Sequence, residues 1–222
     1  MMTDARRVRR VALSFVSIGT RGYTRLMAVP AKTYMDKPVR RFRDGKAWEA
    51  WLAKNHAASD GLWIEFGKRD SGIVSIWYPE ALECALCYGW IDGQSKGNDE
   101  LTYWQKFTPR GKRSIWSKIN RAKVQALIES GRMRAAGLAE IERAKSDGRW
   151  DRAYDSPANA EVPEDLTAAL KRNAKARRFF ETLSGQNRYA ILFRIQTAKK
   201  AETRARRIGD FVAMLARGET FH

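Results

Sequence analysis

Few residues in this chain sit at spacings that carry chemistry. Cys84-Ala-Leu-Cys87 matches a C-x-x-C pair, the pattern of redox dithiols and of half a zinc site. A redox pair works at a helix N-terminus, where the dipole lowers the thiol pKa. Pro79 suits the first turn of a helix, so both thiols are expected well inside it, packed and reduced. A zinc site needs two further ligands, and His56 and His222 are the only histidines; no metal and no cofactor is expected. Gly89-Trp90-Ile91-Asp92-Gly93 is the most unusual local run. Its glycines permit sharp turns or close backbone approach. Asp92 could orient a substrate or coordinate a metal, or simply cap the local backbone. No second carboxylate stands at a telling spacing, although Glu65, Glu80, Glu83 and Asp99 could converge on it in the fold. A pocket using Trp90, Asp92, Trp104 and Arg110 is the small-ligand or enzymatic reading.

The strongest candidate is the basic run from Arg110 to Lys123, with six basic residues, no acid, and Trp116 within it. It begins where a strand should give way to a helix, so backbone N–H groups and guanidinium groups could face one anion. Arg110, Lys112, Arg113, Lys118 and Arg121 are its anion-binding candidates, with Trp116 or Trp104 available to stack on a base. The alternative is a solvated basic face with Trp116 in the core. A second basic stripe is Lys200, Arg204 and Arg207, and a third cluster is Lys171, Arg172, Lys175, Arg177 and Arg178. There is no phosphate-cradling glycine loop, no G-x-S-x-G and no H-E-x-x-H, which lowers the case for the common enzyme classes.

Composition sets the frame for these residues. The 222 residues carry 42 Lys and Arg against 25 Asp and Glu, a net charge of +17. A hydrophobic content of 44% allows a real core and excludes a wholly disordered chain. No run approaches the roughly 18 apolar residues of a membrane span. The charge is uneven: residues 1–35 carry +6, 36–110 are neutral, 111–150 carry +6 and 151–222 carry +5. Residues 1–35 combine Arg6-Arg7-Val8-Arg9-Arg10 with a short apolar run broken by Ser14 and Ser17. A secretory signal fits this poorly. A disordered tail is expected, or a miscalled start with synthesis beginning at Met27 or Met35, together with a cytoplasmic location; the periplasm is the alternative.

The periodicity predicts a helix over 45–55 from Trp48, Trp51 and Leu52, a strand over 62–66, a second strand over 73–78 after the Asp70-Ser71-Gly72 turn, and a helix from Pro79 to about Tyr88. Strands are expected from Trp90 and over 101–108. From Ser117 only helices are expected, ending near Gly131 and Gly148, then a loop over 149–162, then helices from Pro163, around Phe179, Phe180 and Leu183, over 189–195, and along Ala201, Ala205, Ile208, Val212 and Leu215. The fold class is therefore α+β: a small, mostly antiparallel sheet with helices, followed by an all-helical C-terminal half packed on it. The organisation is a tail over 1–35, an α+β region over 36–114 and a helical region over 115–222.

Several longer runs agree in order with a known bacterial family. Glu80-Ala-Leu-Glu-Cys-Ala-Leu-Cys-Tyr-Gly-Trp-Ile-Asp-Gly93, Gln105-Lys-Phe-Thr-Pro-Arg110, Ser114-Ile-Trp-Ser-Lys-Ile-Asn120, Gly131-Arg-Met133 and Ala198-Lys-Lys-Ala-Glu-Thr-Arg-Ala-Arg-Arg-Ile208 resemble the bacteriocin-protection, YdeI or OmpD-associated family over roughly 42–219. The resemblance implies a role in survival against cationic antimicrobial peptides, in a family described as periplasmic, and it implies no catalytic residues. A chain of +17 repels a cationic peptide, so sequestration is disfavoured. The expected function is a non-enzymatic protection protein that binds an anionic partner: nucleic acid, anionic lipid or lipopolysaccharide.

Overall fold

The structure, a computed structural model, describes residues 32–222. Its elements in chain order are β1 (Thr33–Tyr34), β2 (Lys37–Arg40), α1 (Gly45–Asn55), β3 (Leu62–Gly67), α2 (Tyr78–Cys87), β4 (Trp90–Gly97), β5 (Thr102–Pro109), α3 (Lys118–Glu129), α4 (Ala135–Ser146), α5 (Glu164–Lys171), α6 (Ala174–Glu181), α7 (Gly185–Gln196) and α8 (Ala201–Ala216). The class is α+β. Two compact units are distinguished: the described chain up to Arg113 together with Leu127–Glu140, and Ser114–Ala126 together with Ile141–His222. Residues 127–140 thus count with the sheet.

The sheet has the order β1-β2-β3-β5-β4. Its pairings are antiparallel except β2 with β3, which is parallel. A parallel pair needs a crossover, and α1 supplies it. Asp44 caps α1 by accepting from the Ala47 N–H at 2.9 Å, and Trp48 and Leu52 bury the inner stripe. The β1–β2 hairpin turns on Met35 and Asp36, with φ of 48° and 60°. Two positive-φ residues give the turn whose twist matches that of the flanking strands. Thr33 and Tyr34, within the tail expected over 1–35, form a strand. The remaining expectations for the tail lie outside the described residues.

β3 is buried along its length, from Leu62 to Phe66, because both of its faces are covered. On one face Leu62, Ile64 and Phe66 stand opposite Phe107, Gln105 and Tyr103 of β5. Trp48 meets Phe107 there at 5.8 Å, and Phe66 stacks on Tyr103 at 5.2 Å. On the other face Val39, Trp63 and Trp104 form a separate cluster with Tyr34 packed against it.

The strand expected over 73–78 is absent. Both edges of β3 are already taken, by β5 and by β2, whose pairing was not foreseen. The segment is held by single bonds, Ile76 N–H to the Phe42 carbonyl at 2.7 Å and Gly67 N–H to Ser75 Oγ at 2.9 Å. Val74 and Trp77 remain exposed.

The helical unit is built around Leu166, Leu170, Phe180, Ile191, Leu192, Ile195, Ile208, Phe211 and Leu215. Asn173 caps α6 and Ser184 caps α7 through their side-chain oxygens. Glu164 and Asp165 open α5, where acids suit the dipole. On α8 the buried stripe is Ile208, Phe211 and Leu215. Ala201 and Ala205, expected in the stripe, are exposed, since a methyl group buries too little area to direct the helix.

Candidate functional site

The sheet register decides the fate of the GWIDG pocket. Asp92 pairs with Phe107, whereas Trp104 pairs with Glu65 and Lys96. Directly opposed residues share a face and successive ones alternate. Asp92 therefore stands on the helix-covered face and Trp104 on the opposite one. Trp90 is core: it lies edge-on to Trp48 and Trp51 and donates its indole N–H to the His56 carbonyl at 3.1 Å. Asp92 is half-buried and accepts from the Tyr78 hydroxyl at 2.8 Å. Arg110 is buried, and its backbone N–H donates to the Gly89 carbonyl. The four residues do not form one pocket. The other carboxylates do not converge on Asp92 either. Glu65 lies on the opposite face, Glu83 pairs with Arg132 at 2.7 Å, Asp99 accepts from the Leu101 and Thr102 N–H groups, and Glu80 lies against Gly45.

The anion-binding candidates are likewise divided. Arg110, Lys112 and Arg113 belong to the sheet unit; Lys118, Arg121, Lys200, Arg204 and Arg207 belong to the helical unit. Lys118 pairs with Asp155 at 2.7 Å. Arg121 donates to the Trp150 carbonyl at 3.0 Å and sits 4.8 Å from that ring. Arg204 makes a two-pronged bond to Asp165, and Arg207 donates to the Arg194 carbonyl. Each of these four cations has a partner within the helical unit. Lys112, Arg113 and Lys200 are exposed. Trp116 is 1% exposed and packs edge-on against Trp150 at 5.1 Å, and Trp104 is 3% exposed; neither offers a face to a base.

Both cysteines are free and buried. Burial pushes the Cys84 thiol up to about 12 and the Cys87 thiol up to about 11. Such thiols stay protonated and make poor nucleophiles. Among the described residues, no group of three or more His, Cys, Asp and Glu side chains gathers to hold a metal, and no helix is long and apolar enough to cross a membrane.

A better-built feature lies in the helical unit. A recess of about 300 Å³ opens between α6 and α8, lined by Lys175, Arg178, Phe179, Thr182, Leu215 and Gly218. Its lining is apolar at Phe179, with the fully buried Leu215 beneath. Its rim is cationic, since Lys175 and Arg178 sit at i and i+3 on α6 and are exposed. The third basic cluster supplies these two residues. Sequence reasoning saw the charges but not the apolar lining, because Leu215 reaches it from a helix nearly forty residues away.

Glu65, considered above only as a partner for Asp92, is 9% exposed on the Trp63–Trp104 face instead. It accepts from Trp104 Nε1 at 3.1 Å and from both Nε and Nη2 of Arg41, and it pairs with Lys32 at 3.4 Å. Burial works to raise its carboxyl. The Arg41 and Trp104 hydrogen bonds and the charges of Arg41 and Lys32 outweigh burial, so the net displacement is downward. A lone Glu in the apolar run Leu62-Trp-Ile-Glu-Phe66 was the available signal.

Comparison with known families divides the chain in a similar place. A domain of unknown function (DUF8412) matches residues 40–140, and the model described as Bacteriocin-protection, YdeI or OmpD-Associated matches residues 159–218. No curated protein and no solved structure matches. The second match is narrower than the resemblance over 42–219. Of the five runs that carried the resemblance, only Ala198–Ile208 lies inside it; the other four lie in the segment matched by the domain of unknown function. The likeness to the bacteriocin-protection, YdeI or OmpD-associated family is thus shown for residues 159–218.

Proposed function

We propose that this protein is a non-enzymatic binding protein whose helical unit engages an anionic lipid surface through α6 and the recess beside it. The observation that carries the reading is the joining of an apolar lining, Phe179 over Leu215, to the exposed cations Lys175 and Arg178. A phosphate headgroup suits the rim and an acyl segment suits the lining. Residues 159–218 hold thirteen basic and six acidic residues, so the whole domain is drawn to a negative surface. A cytoplasmic location would make the inner leaflet, with its anionic lipids, that surface. The same chemistry fits the likeness of residues 159–218 to a bacteriocin-protection family, because cationic peptides attack anionic lipid. The alternative pocket around Asp92 has less support, since Trp104 stands on the other side of the sheet.

Co-sedimentation of the full chain with vesicles tests this. Vesicles containing phosphatidylglycerol should bind it and pure phosphatidylcholine should not. Each cation near such a surface contributes about 1 kcal/mol, so Lys175→Gln with Arg178→Gln should weaken binding about thirtyfold. Equal binding to both vesicle types, or an unchanged double variant, refutes the reading. Salt-sensitive binding of a DNA duplex with no vesicle binding would replace lipid by nucleic acid.

A further inference from the structure

The face of the sheet opposite α1 and α2 carries an arrangement that neither family match describes. Tyr34 lies 5.1 Å from Trp63 at 77° and 5.2 Å from Trp104 at 54°. These three aromatic rings form one packed cluster. The Glu65 carboxylate borders it on one side, 9% exposed and bonded to the Trp104 indole. Against it lies the Lys32 ammonium, 4.4 Å from the centre of the Trp104 ring and 3.4 Å from Glu65 Oε2. A cation held between an aromatic face and a buried carboxylate is the pattern by which proteins recognise organic ammonium groups. The Trp63 indole N–H is also buried without a hydrogen-bond partner, so this face is not a fully satisfied piece of core.

Lys32 is tethered rather than integral. Its carbonyl accepts from the Val39 N–H, which fixes the backbone, while its side chain is 45% exposed. Arg41 binds the other carboxylate oxygen, Oε1, and leaves Oε2 to Trp104 and Lys32. Removing the Lys32 ammonium leaves Glu65 its guanidinium and indole partners. What opens is one lone pair on Oε2 and one face of Trp104.

We infer that the place held by the Lys32 ammonium, between the Trp104 face and Glu65 beside Tyr34 and Trp63, is a recognition site for a primary alkylammonium group, and that Lys32 is its built-in occupant. An external amine must displace a tethered one. Short tethers give effective concentrations of about a millimolar, so a site of millimolar affinity is masked about twofold. The site takes a cation on the sheet unit, and it stands or falls separately from lipid binding by the helical unit.

The test uses the full chain with Lys32→Ala. n-Butylammonium is titrated while the indole N–H signals are followed by ¹H–¹⁵N NMR, with the Trp104 signal identified by Trp104→Phe. Butanol and butyrate serve as neutral and anionic probes. In Lys32→Ala the Trp104 signal should shift saturably with butylammonium alone, at about millimolar concentration. The unmodified chain should need about twice as much amine, and Lys32→Ala with Glu65→Gln should lose saturation while retaining the dispersed indole spectrum of a folded chain. No saturable shift in a folded Lys32→Ala chain overturns the inference. So does an equal response to butanol, which would leave only an apolar cleft.

Discussion

Replacing Glu65 by Gln isolates one carboxylate whose surroundings can be weighed part by part. The variant keeps shape and one acceptor oxygen, but places an amide NH₂ against either the Trp104 N–H or the Arg41 guanidinium. Trp104 is 3% exposed, so its N–H cannot turn to water. A hydrogen bond to a charged acceptor contributes about 1.5–3 kcal/mol. Arg41 and Lys32 have side chains 43% and 45% exposed, so solvent screening holds their share below about 1 kcal/mol. The expected loss at pH 7 is therefore about 2–3 kcal/mol. The sign with pH follows from linkage. The folded carboxyl lies below its ordinary value of 4.5. Its contribution is thus full above the unfolded pKa and fades as pH falls through the folded one. Urea unfolding of wild type and Glu65→Gln at pH 7, 5.5, 4 and 3, followed by tryptophan fluorescence, reads the gap directly, because groups that titrate alike in both chains cancel. The gap should be constant at pH 7 and 5.5 and shrink at 4 and 3. A gap independent of pH, or one that widens in acid, would show that the carboxylate's charge is not what the site uses.

Gly137→Ala should destabilise the sheet unit by about 1–3 kcal/mol. A Cβ there would overlap the Cys87 carbonyl, and it would come within 2.6 Å of the Met133 terminal methyl, which alone could move; a thermal or urea midpoint equal to wild type would disprove this contact. Cys84 and Cys87, with thiols near 12 and 11, should react with a thiol reagent at pH 8 only as fast as the unit opens, and both should react promptly in denaturant. Rapid modification of the native chain would mean an accessible thiolate.

Much of the element pattern was readable because local rules and tertiary packing agreed. Helix α1 begins at Gly45 and ends at Asn55, where Asp44 and the Trp48–Leu52 stripe place it. Pro79 falls in the first turn of α2, and both thiols are interior, as the spacing requires. The segment 73–78 went astray because branched residues favour an extended chain whether or not a partner edge is free, and β2 already held that edge. β2 itself, Lys37–Arg40, has one apolar residue on an inward position and no alternation to read. The candidate site fared worse. Lys118, Arg121, Arg204 and Arg207 look like free cations in a charge count, yet their partners Asp155, Trp150, Asp165 and Arg194 lie 13 to 39 residues away in the chain.

The sequence by itself determined the α+β class, the helical second half, the family likeness of residues 159–218 and the placement of the two cysteines inside a helix. Those follow from periodicity, capping and composition, which act over a few residues. Tertiary structure alone decided that Asp92 and Trp104 stand on opposite faces, that Trp116 is core, that Phe179 and Leu215 line one recess, and that Lys32 meets Glu65 and Trp104. Strand register and helix packing join residues far apart in the chain, and a one-residue change of register reverses every face. No local pattern carries that information.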